Sequence, residues 1–217
     1  IQFSCISVTR KIYKFIIVEE FVDGEEFGAQ AFVRNGAITF ILPHGDLVFH
    51  STTDVPIGHY APYEKDNEII EDLTYQLQLC IKALKINNTA INADFILSRG
   101  KVYVLEIGAR AGATCLPELV SNYYGTNYYE YLLKHCIGED YSFATNTTSA
   151  SLVETLISAK SGVVDSINLE NLPEEVVSIV LYPKLGEEVN AFRNAYDRIG
   201  TIVLRGQSLP HLFDVCK

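Results

Sequence analysis

Two largely apolar runs, Ala90 to Leu97 and Lys101 to Ile107, flank the turn residues Ser98-Arg99-Gly100, and each carries one carboxylate, Asp94 and Glu106. Alternation, a Gly-bearing turn and a second run predict a β-hairpin. Two carboxylates that meet across a sheet repel one another unless a cation stands between them. Magnesium takes oxygen ligands, commonly one or two carboxylates completed by water and substrate phosphates. For both side chains to share a face, Asp94 must pair with Glu106. That register predicts an odd loop, Arg99-Gly100-Lys101, with Gly100 in the left-handed conformation of a three-residue hairpin with a bulge. It also gathers Phe95, Leu97, Tyr103 and Leu105 on the other face. Solvated strand carboxylates would fit the spacing too. Against that, Glu106 interrupts a very apolar strand and leads directly into Gly108-Ala109-Arg110-Ala111-Gly112-Ala113-Thr114. Small residues let the backbone approach a ligand and a guanidinium matches an oxyanion, so this loop reads as a phosphate or carboxylate site.

Around the hairpin the chain alternates strands and helices. Ile12 to Val18 is apolar and β-rich and ends in Glu19-Glu20-Phe21-Val22-Asp23-Gly24. Phe27 to Val33 alternates, Asn35-Gly36 is a two-residue hairpin signal, and Ala37 to Leu42 returns. Pro43 to Tyr63, with its prolines and aromatics, reads as a structured loop. From Asn67 to Lys85 the apolar positions Ile69, Ile70, Leu73, Leu77, Ile81 and Leu84 recur at helical spacing. Leu116 to Tyr123 and Asn127 to His135 read as short helices parted by Gly125. Beyond a polar linker at Thr145 to Ser149, residues Ser151 to Lys217 read as short strands broken by Gly162, Pro173, Gly186 and Gly200, with helix only around Glu187 to Arg193. The class is α+β, an antiparallel sheet with flanking helices. The organisation expected is one unit over 1–144, incomplete at its N-terminal side, and a smaller β-rich section over 145–217 packed on it.

Composition narrows the function. Hydrophobic residues make up 48% of the 217, enough for a sizeable core. A formal net charge of −10 disfavours nucleic acid as a partner, and no apolar run is long enough for a membrane span. Five cysteines without a CxxC pair read as reduced thiols of a cytoplasmic protein. The chain begins at Ile1 and contains no Met, which raises the expectation that methionines, loops or an upstream domain lie outside it.

Other polar residues carry weaker signals. His44, His50 and His59 have no tight metal-ligand spacing, and His59 with Tyr60 reads better as part of an acceptor-substrate pocket. Tyr123, Tyr124, Tyr128, Tyr129 and Tyr131 are spaced for core packing. Asp197-Arg198 and Arg205-Gly206 read as surface turns. Neither a P-loop nor a Rossmann turn is present, and no local motif supports a Ser-His-Asp or Cys-His nucleophile.

INADFILSRGKVYVLEIGARAGAT (Ile91 to Thr114) resembles the metal-binding hairpin and following loop of the ATP-grasp superfamily. IIVEEFVDGEEFGAQAFV (Ile16 to Val33) resembles its hinge and ribose-binding segment, in the right order upstream. The resemblance runs from Phe15 to Glu139 and continues more loosely to the C-terminus. It is closest in feel to carboxylate–amine ligases related to L-amino-acid ligases and carnosine synthase; biotin carboxylase, carbamoyl phosphate synthase and the purine-pathway enzymes are more distant. The resemblance implies an ATP-dependent ligase that activates a carboxylate as an acyl phosphate and joins it to an amine. It implies ATP and Mg2+ (or Mn2+) as cofactors and small-molecule carboxylate and amine substrates. In that case Glu19 and Glu20 with the backbone of Phe21 and Val22 meet the adenine, Glu26 the ribose, and Asp94 and Glu106 the metal. Arg110 would orient the transferring phosphoryl group, with His59 and Gly112 on the substrate side. Two departures stand out. Gly108 occupies a position where many members have a metal-binding Asn, and the phosphate-gripping lysines and Gly-rich loop are not identifiable, Lys11 and Lys14 being poor substitutes. The chain alone is therefore expected to be inactive. A nucleotide-binding module without chemistry, or a carboxylase or carbamoyl-phosphate type of enzyme, remain alternatives.

Overall fold

The computed structural model describes residues 2–4, 17–50, 54–139, 141–145 and 148–216. β1 (Gln2–Ser4) pairs with β2 (Ile17–Glu19). Most of the strand expected over Ile12 to Val18, with Lys11 and Lys14, lies outside the described residues. β3 (Glu25–Arg34) and β4 (Ala37–Phe49) then turn on Asn35 and Gly36, both at positive φ, 52° and 76°. That is the geometry an Asn-Gly pair favours, because its twist matches that of the flanking strands.

The expected loop over Pro43 to Tyr63 is largely strand instead. β4 continues through Pro43 to Phe49 and β5 (Val55–Ala61) pairs back on it. Pairing with β5 starts only at Gly45, so at Pro43 the strand has β3 alone beside it. A proline is tolerated at such an edge position. Pro56 sits next to a bulge, since Leu47 pairs with Gly58 and Val48 with Pro56, leaving Ile57 over. The prolines mark irregularities within strands, not the ends of strands.

α1 (Asn67–Leu84), β6 (Thr89–Ser98), β7 (Lys101–Gly108), α2 (Leu116–Tyr124) and α3 (Tyr128–Cys136) follow the expected order. The C-terminal stretch is β8 (Ala150–Ile157), β9 (Gly162–Val163), β10 (Val176–Leu181), β11 (Glu188–Val189), β12 (Arg198–Gly206) and α4 (Leu209–Val215). Three expectations fail here. Gly200 does not break a strand: it lies inside β12, paired with Leu181 and Leu156, and a Cβ there would come 2.2 Å from the Val180 carbonyl oxygen. Glu187 to Arg193 forms no helix; the helix is α4, which has Pro210 in its first turn, where a missing N–H costs nothing. Arg198, Arg205 and Gly206 belong to β12 and not to surface turns, and Asp197 is buried, accepting from the Arg193 backbone N–H at 3.1 Å.

Eight strands form one antiparallel sheet in the order β10-β12-β8-β5-β4-β3-β6-β7. β5 and β8 are neighbours, so strands before and after residue 145 share this sheet. On one face, Leu73, Leu77 and Ile81 of α1 pack against Phe27, Ala29, Ala31, Val33, Ile91, Ala93, Phe95 and Val102. On the other, Leu116, Leu119, Val120, Tyr124, Tyr128 and Tyr131 of α2 and α3 cover Phe32, Phe40, Leu42, Val153 and Val203. Of the tyrosine cluster, Tyr129 stays outside, 47% exposed.

Candidate functional site

The acidic hairpin has the expected pair but reaches it by another route. β6 and β7 turn on only two residues, Arg99 and Gly100, both at positive φ (51° and 74°), and Ser98 pairs with Lys101. An even loop alone would set Asp94 opposite Leu105. The register shifts instead between Asp94 and Phe95: Phe95 pairs with Val104 and Asp94 with Glu106, leaving Leu105 as the extra residue of a β-bulge. Because side chains alternate faces, this single residue turns Glu106 onto the Asp94 side. It also changes the apolar set. Val102 and Val104 pack in the α1-side core, whereas Tyr103 and Leu105, expected there, are 42% and 51% exposed.

Register carries the same face across the sheet. Gly28 pairs with Asp94 on one side and His44 on the other, with Glu26 and Gln30 two residues either side of it. Asp46, two residues beyond His44, pairs with His59. A Cβ on Gly28 would lie 2.2 Å from His44 Cε1, so the imidazole rests on bare backbone. His44 is 1% exposed and its neighbours settle its protons. The Gly112 N–H donates to Gln30 Oε1 at 2.9 Å, which orients the amide. Gln30 Nε2 donates to Asn92 Oδ1 at 2.5 Å and faces His44 Nε2 at 3.5 Å. Assigned from this network, His44 Nε2 accepts and Nδ1 carries the proton donated to Asp46 Oδ1 at 3.0 Å. His59 Nδ1 lies 2.6 Å from the same oxygen.

The electrostatics follow from that arrangement. Burial holds His44 below the ordinary histidine pKa, against the pull of Asp46. Burial would raise Asp46, but the hydrogen bonds from His44 and His59 outweigh it and hold the carboxyl well below the usual range. Asp94 goes the other way. Burial raises its pKa, the Asp46 and Glu106 charges raise it further, His59 offsets part, and Glu26 adds to the rise. Four carboxylates therefore act on one another along this face.

The other residues singled out by the sequence are distributed as follows. Glu19 ends β2, and Glu20 and Phe21 are exposed. The segment through Val22 and Asp23 is tied to the hairpin tip, where Ser98 Oγ donates to the Asp23 carbonyl at 2.6 Å. Glu26 is exposed, beside Ile96. Arg110 is exposed in the loop after Glu106 and donates from Nη1 to the Ala111 carbonyl at 2.9 Å. Gly112 closes that loop on Gln30, and a Cβ there would strike Leu116 and Asn92. Gly108 pairs with Asn92, so an amide does stand beside it, on the neighbouring strand and turned towards Gln30. His50 is set apart with Asp54, at 3.2 Å. His44 and His59 converge although their spacing along the chain does not suggest it, and their ligand atoms lie with that of Asp46 within 4.8 Å. Asp46 was the residue missed. Its only sequence signal is the alternation His44-Gly45-Asp46, which has meaning only once Pro43 is allowed within a strand.

Asp94, raised in pKa by burial and by its carboxylate neighbours, thus shares one face with Glu106, beside a loop of small residues that carries a guanidinium. No helix among the described residues is long and apolar enough to cross a membrane.

Comparisons with known proteins agree with this geometry. Residues 7–118, just over half of the chain, match the sequence family described as ATP-grasp domain. No curated protein matches significantly. Among solved structures, phosphoribosylglycinamide synthetase from Anaerococcus prevotii superposes with a TM-score of 0.86 at 38% identity, over 95% of this chain and 54% of that one. L-amino acid ligase from Bacillus licheniformis gives 0.74 at 19%, over 89% and 49%. The biotin carboxylase domain of 2-oxoglutarate carboxylase from Hydrogenobacter thermophilus, solved with MgADP and bicarbonate, gives 0.64 at 12%, over 87% and 43%. The last two speak to the fold alone. The chain spans about half the length of the solved relatives it matches.

Proposed function

The chain belongs to the ATP-grasp family, and on that premise we propose that it is the nucleotide- and metal-binding part of an ATP-dependent ligase. The reaction would activate a carboxylate as an acyl phosphate and join it to an amine or similar nucleophile. One observation carries the proposal: Asp94 and Glu106 are paired in register on one face, and Asp94 is raised in pKa by burial and by carboxylate neighbours. A hard divalent cation is the group that relieves such repulsion. Asp94 and Glu106 would hold Mg2+ (or Mn2+), whose charge, when bound, offsets that of the ATP phosphates.

The chain's own residues then position and exclude. Glu19, Glu20, Phe21 and Val22 would line the adenine and Glu26 the ribose, the hinge being braced on the hairpin tip through Ser98. Arg110 would orient the γ-phosphoryl group as it passes to the substrate carboxylate oxygen and ADP leaves. The amine then attacks the acyl carbon, losing a proton as phosphate departs. Gln30 and Asn92 hold Gly112 down, so the loop carrying Arg110 is anchored to the sheet, and fixed placement is most of what a phosphoryl-transfer enzyme supplies. His59 would face the substrate side. The ligase chemistry draws support from the synthetase relative at 38% identity, and the nucleotide from the match to the ATP-grasp domain.

Thermal stabilisation by Mg-ATP tests the metal assignment. Wild-type protein should gain stability, and an Asp94→Asn/Glu106→Gln variant should lose that gain; equal gains in both would sink it. Gly108 in place of a metal-binding Asn favours a second reading, nucleotide binding without turnover. A screen of amino acids and small carboxylates for ADP release separates the two, since binding without release supports the second.

A further inference from the structure

We infer that His59 is the base that takes the proton lost by the attacking amine, and that Asp46, His44 and Gln30 are positioning residues that keep its Nε2 ready to accept it. The inference rests on the ligase reading for the reaction, and on the following geometry for the arrangement.

Two histidines meet one carboxylate here, and they are held differently. His44 is engaged at both ring nitrogens, Nδ1 on Asp46 at 3.0 Å and Nε2 towards Gln30 at 3.5 Å, and it is buried. Neither nitrogen of that ring is left to exchange a proton with a substrate. A histidine with a purely architectural task is held in this way. Among the described residues, His59 is held by a hydrogen bond at Nδ1 alone, 2.6 Å from Asp46 Oδ1. Its ring meets that of His44 edge to face, with centroids 5.2 Å apart. The imidazole is therefore oriented without the use of its second nitrogen.

The proton positions follow along the chain of contacts. The Gly112 N–H sets the Gln30 amide, Gln30 leaves His44 Nε2 as an acceptor, and His44 Nδ1 donates to Asp46. Burial would raise the Asp46 carboxyl, but the hydrogen bonds from both histidines outweigh it, so Asp46 is ionised at neutral pH. An ionised oxygen 2.6 Å from His59 Nδ1 keeps the proton on that nitrogen and leaves Nε2 with its lone pair. An imidazole oriented by a carboxylate at one nitrogen and bare at the other is the arrangement of a general base. When Nε2 is protonated, the adjacent Asp46 charge stabilises the imidazolium.

The place is apt as well. His59 pairs with Asp46 on the face that carries His44, Gly28 and Asp94, and its other neighbour in register is the apolar Val153. The charges of Asp46 and His59 both act on Asp94, one of the two proposed metal ligands, as does that of Glu26. The acyl phosphate would form beside that metal. The amine lone pair then makes the C–N bond, one N–H proton moves to His59 Nε2, and the C–O bond to phosphate breaks with its electron pair leaving on phosphate. Water afterwards takes the proton from the imidazolium.

Two measurements test this. Nitrogen-15 imidazole spectra of the ligand-free protein at pH 8 should show His59 protonated at Nδ1 and bare at Nε2. Amide formation is then followed in the full-length protein with Mg-ATP, the carboxylate that releases ADP in the screen above, and ammonia as the smallest amine. His59→Gln should lower steady-state amide formation about a hundredfold, while ADP still appears in the first turnover. Asp46→Asn should lower it by at least about tenfold. Added imidazole should restore amide formation to His59→Ala, a rescue that a merely structural residue would not show. Both His59 variants should keep the thermal gain from Mg-ATP, which also shows that they fold. An Nε2–H tautomer at His59, wild-type amide formation in His59→Gln, no rescue of folded His59→Ala, or no amide from wild-type protein that releases ADP overturns the base and leaves carboxylate activation standing. Wild-type protein that releases ADP with no carboxylate removes the ligase reading, and the base with it.

Discussion

The two faces of the sheet, read along the same three strands, follow opposite rules. Towards α1, β3 presents Phe27, Ala29, Ala31 and Val33 and β6 presents Ile91, Ala93 and Phe95, all buried. Their alternate neighbours on the far face, up to where Phe32 and Ala90 enter the core under α2 and α3, are Glu26, Gly28, Gln30, Asn92 and Asp94, with Glu106 beyond on β7. One face gains from every contact, because apolar area leaves water. The other assembles like charges and bare backbone that do nothing for an empty fold. The difference teaches that stability and binding are separable here by residue parity. A substitution on one face should move one property and spare the other.

Leu77→Ala is the most severe way to probe the first face. Leu77 is fully buried on the sheet side of α1, and its truncation should cost about 2–5 kcal/mol in denaturant unfolding, while Mg-ATP still raises the melting temperature of the folded fraction. Glu106→Gln probes the second. On the proposed function it should lower ADP formation by roughly a hundredfold, about 2.7 kcal/mol, with unfolding free energy unchanged within about 0.5 kcal/mol. If Glu106→Gln destabilised the fold as Leu77→Ala does, the separation would collapse. Gly28→Ala lies between the two, since the new methyl meets the His44 ring. It should cost about 1–3 kcal/mol as an overpacked site and shift the His44 imidazole resonances.

The smallest effects are in pH dependence, and the two half-buried aspartates should have opposite signs. Asp46 is lowered from the ordinary 3.8, so it contributes stability above 3.8 that is lost as pH falls through its folded value. Asp94 is raised from 3.8, so its favourable contribution is present below 3.8 and is lost as pH rises through its folded value. Asp94→Asn should therefore stabilise the ligand-free protein at neutral pH, by at most about 1 kcal/mol for relief of like charge, and make no difference below 3.8. Asp46→Asn should destabilise at neutral pH. Unfolding curves of both variants between pH 3 and 7 read the signs directly, and the same sign for both would refute the account.

Much of this was written in periodicity. The α1 stripe and the Asn35-Gly36 turn follow from spacing and turn chemistry alone, whereas the pairing of Asp94 with Glu106 also needs the Leu105 bulge, which neither signals. What spacing could not convey were interruptions absorbed within strands. Pro43, Pro56 and Gly200 carry the local signature of loops, and only a neighbouring strand, or its absence on one side, makes each tolerable. Asp46, and the meeting of His44 with His59 upon it, were hidden for that reason, as was the place of Arg198 within β12, since it looks like a turn beside Asp197. The order of likeness was also unreadable: identity to the synthetase is 38% and to the amino-acid ligase 19%, the reverse of what the hinge and hairpin motifs suggest.

Leu105 has one more implication. With one unpaired residue standing between the hairpin's tip and its acid, the tip can gain or lose residues in pairs and Glu106 still meets Asp94. A deletion at Leu105 itself would remove the bulge and set Glu106 opposite Asp94 in plain register, so the acid pair survives and only the local twist is lost. The hairpin therefore has an end where a lineage can experiment with length, or a spectroscopist can splice in a reporter, without parting the two acids.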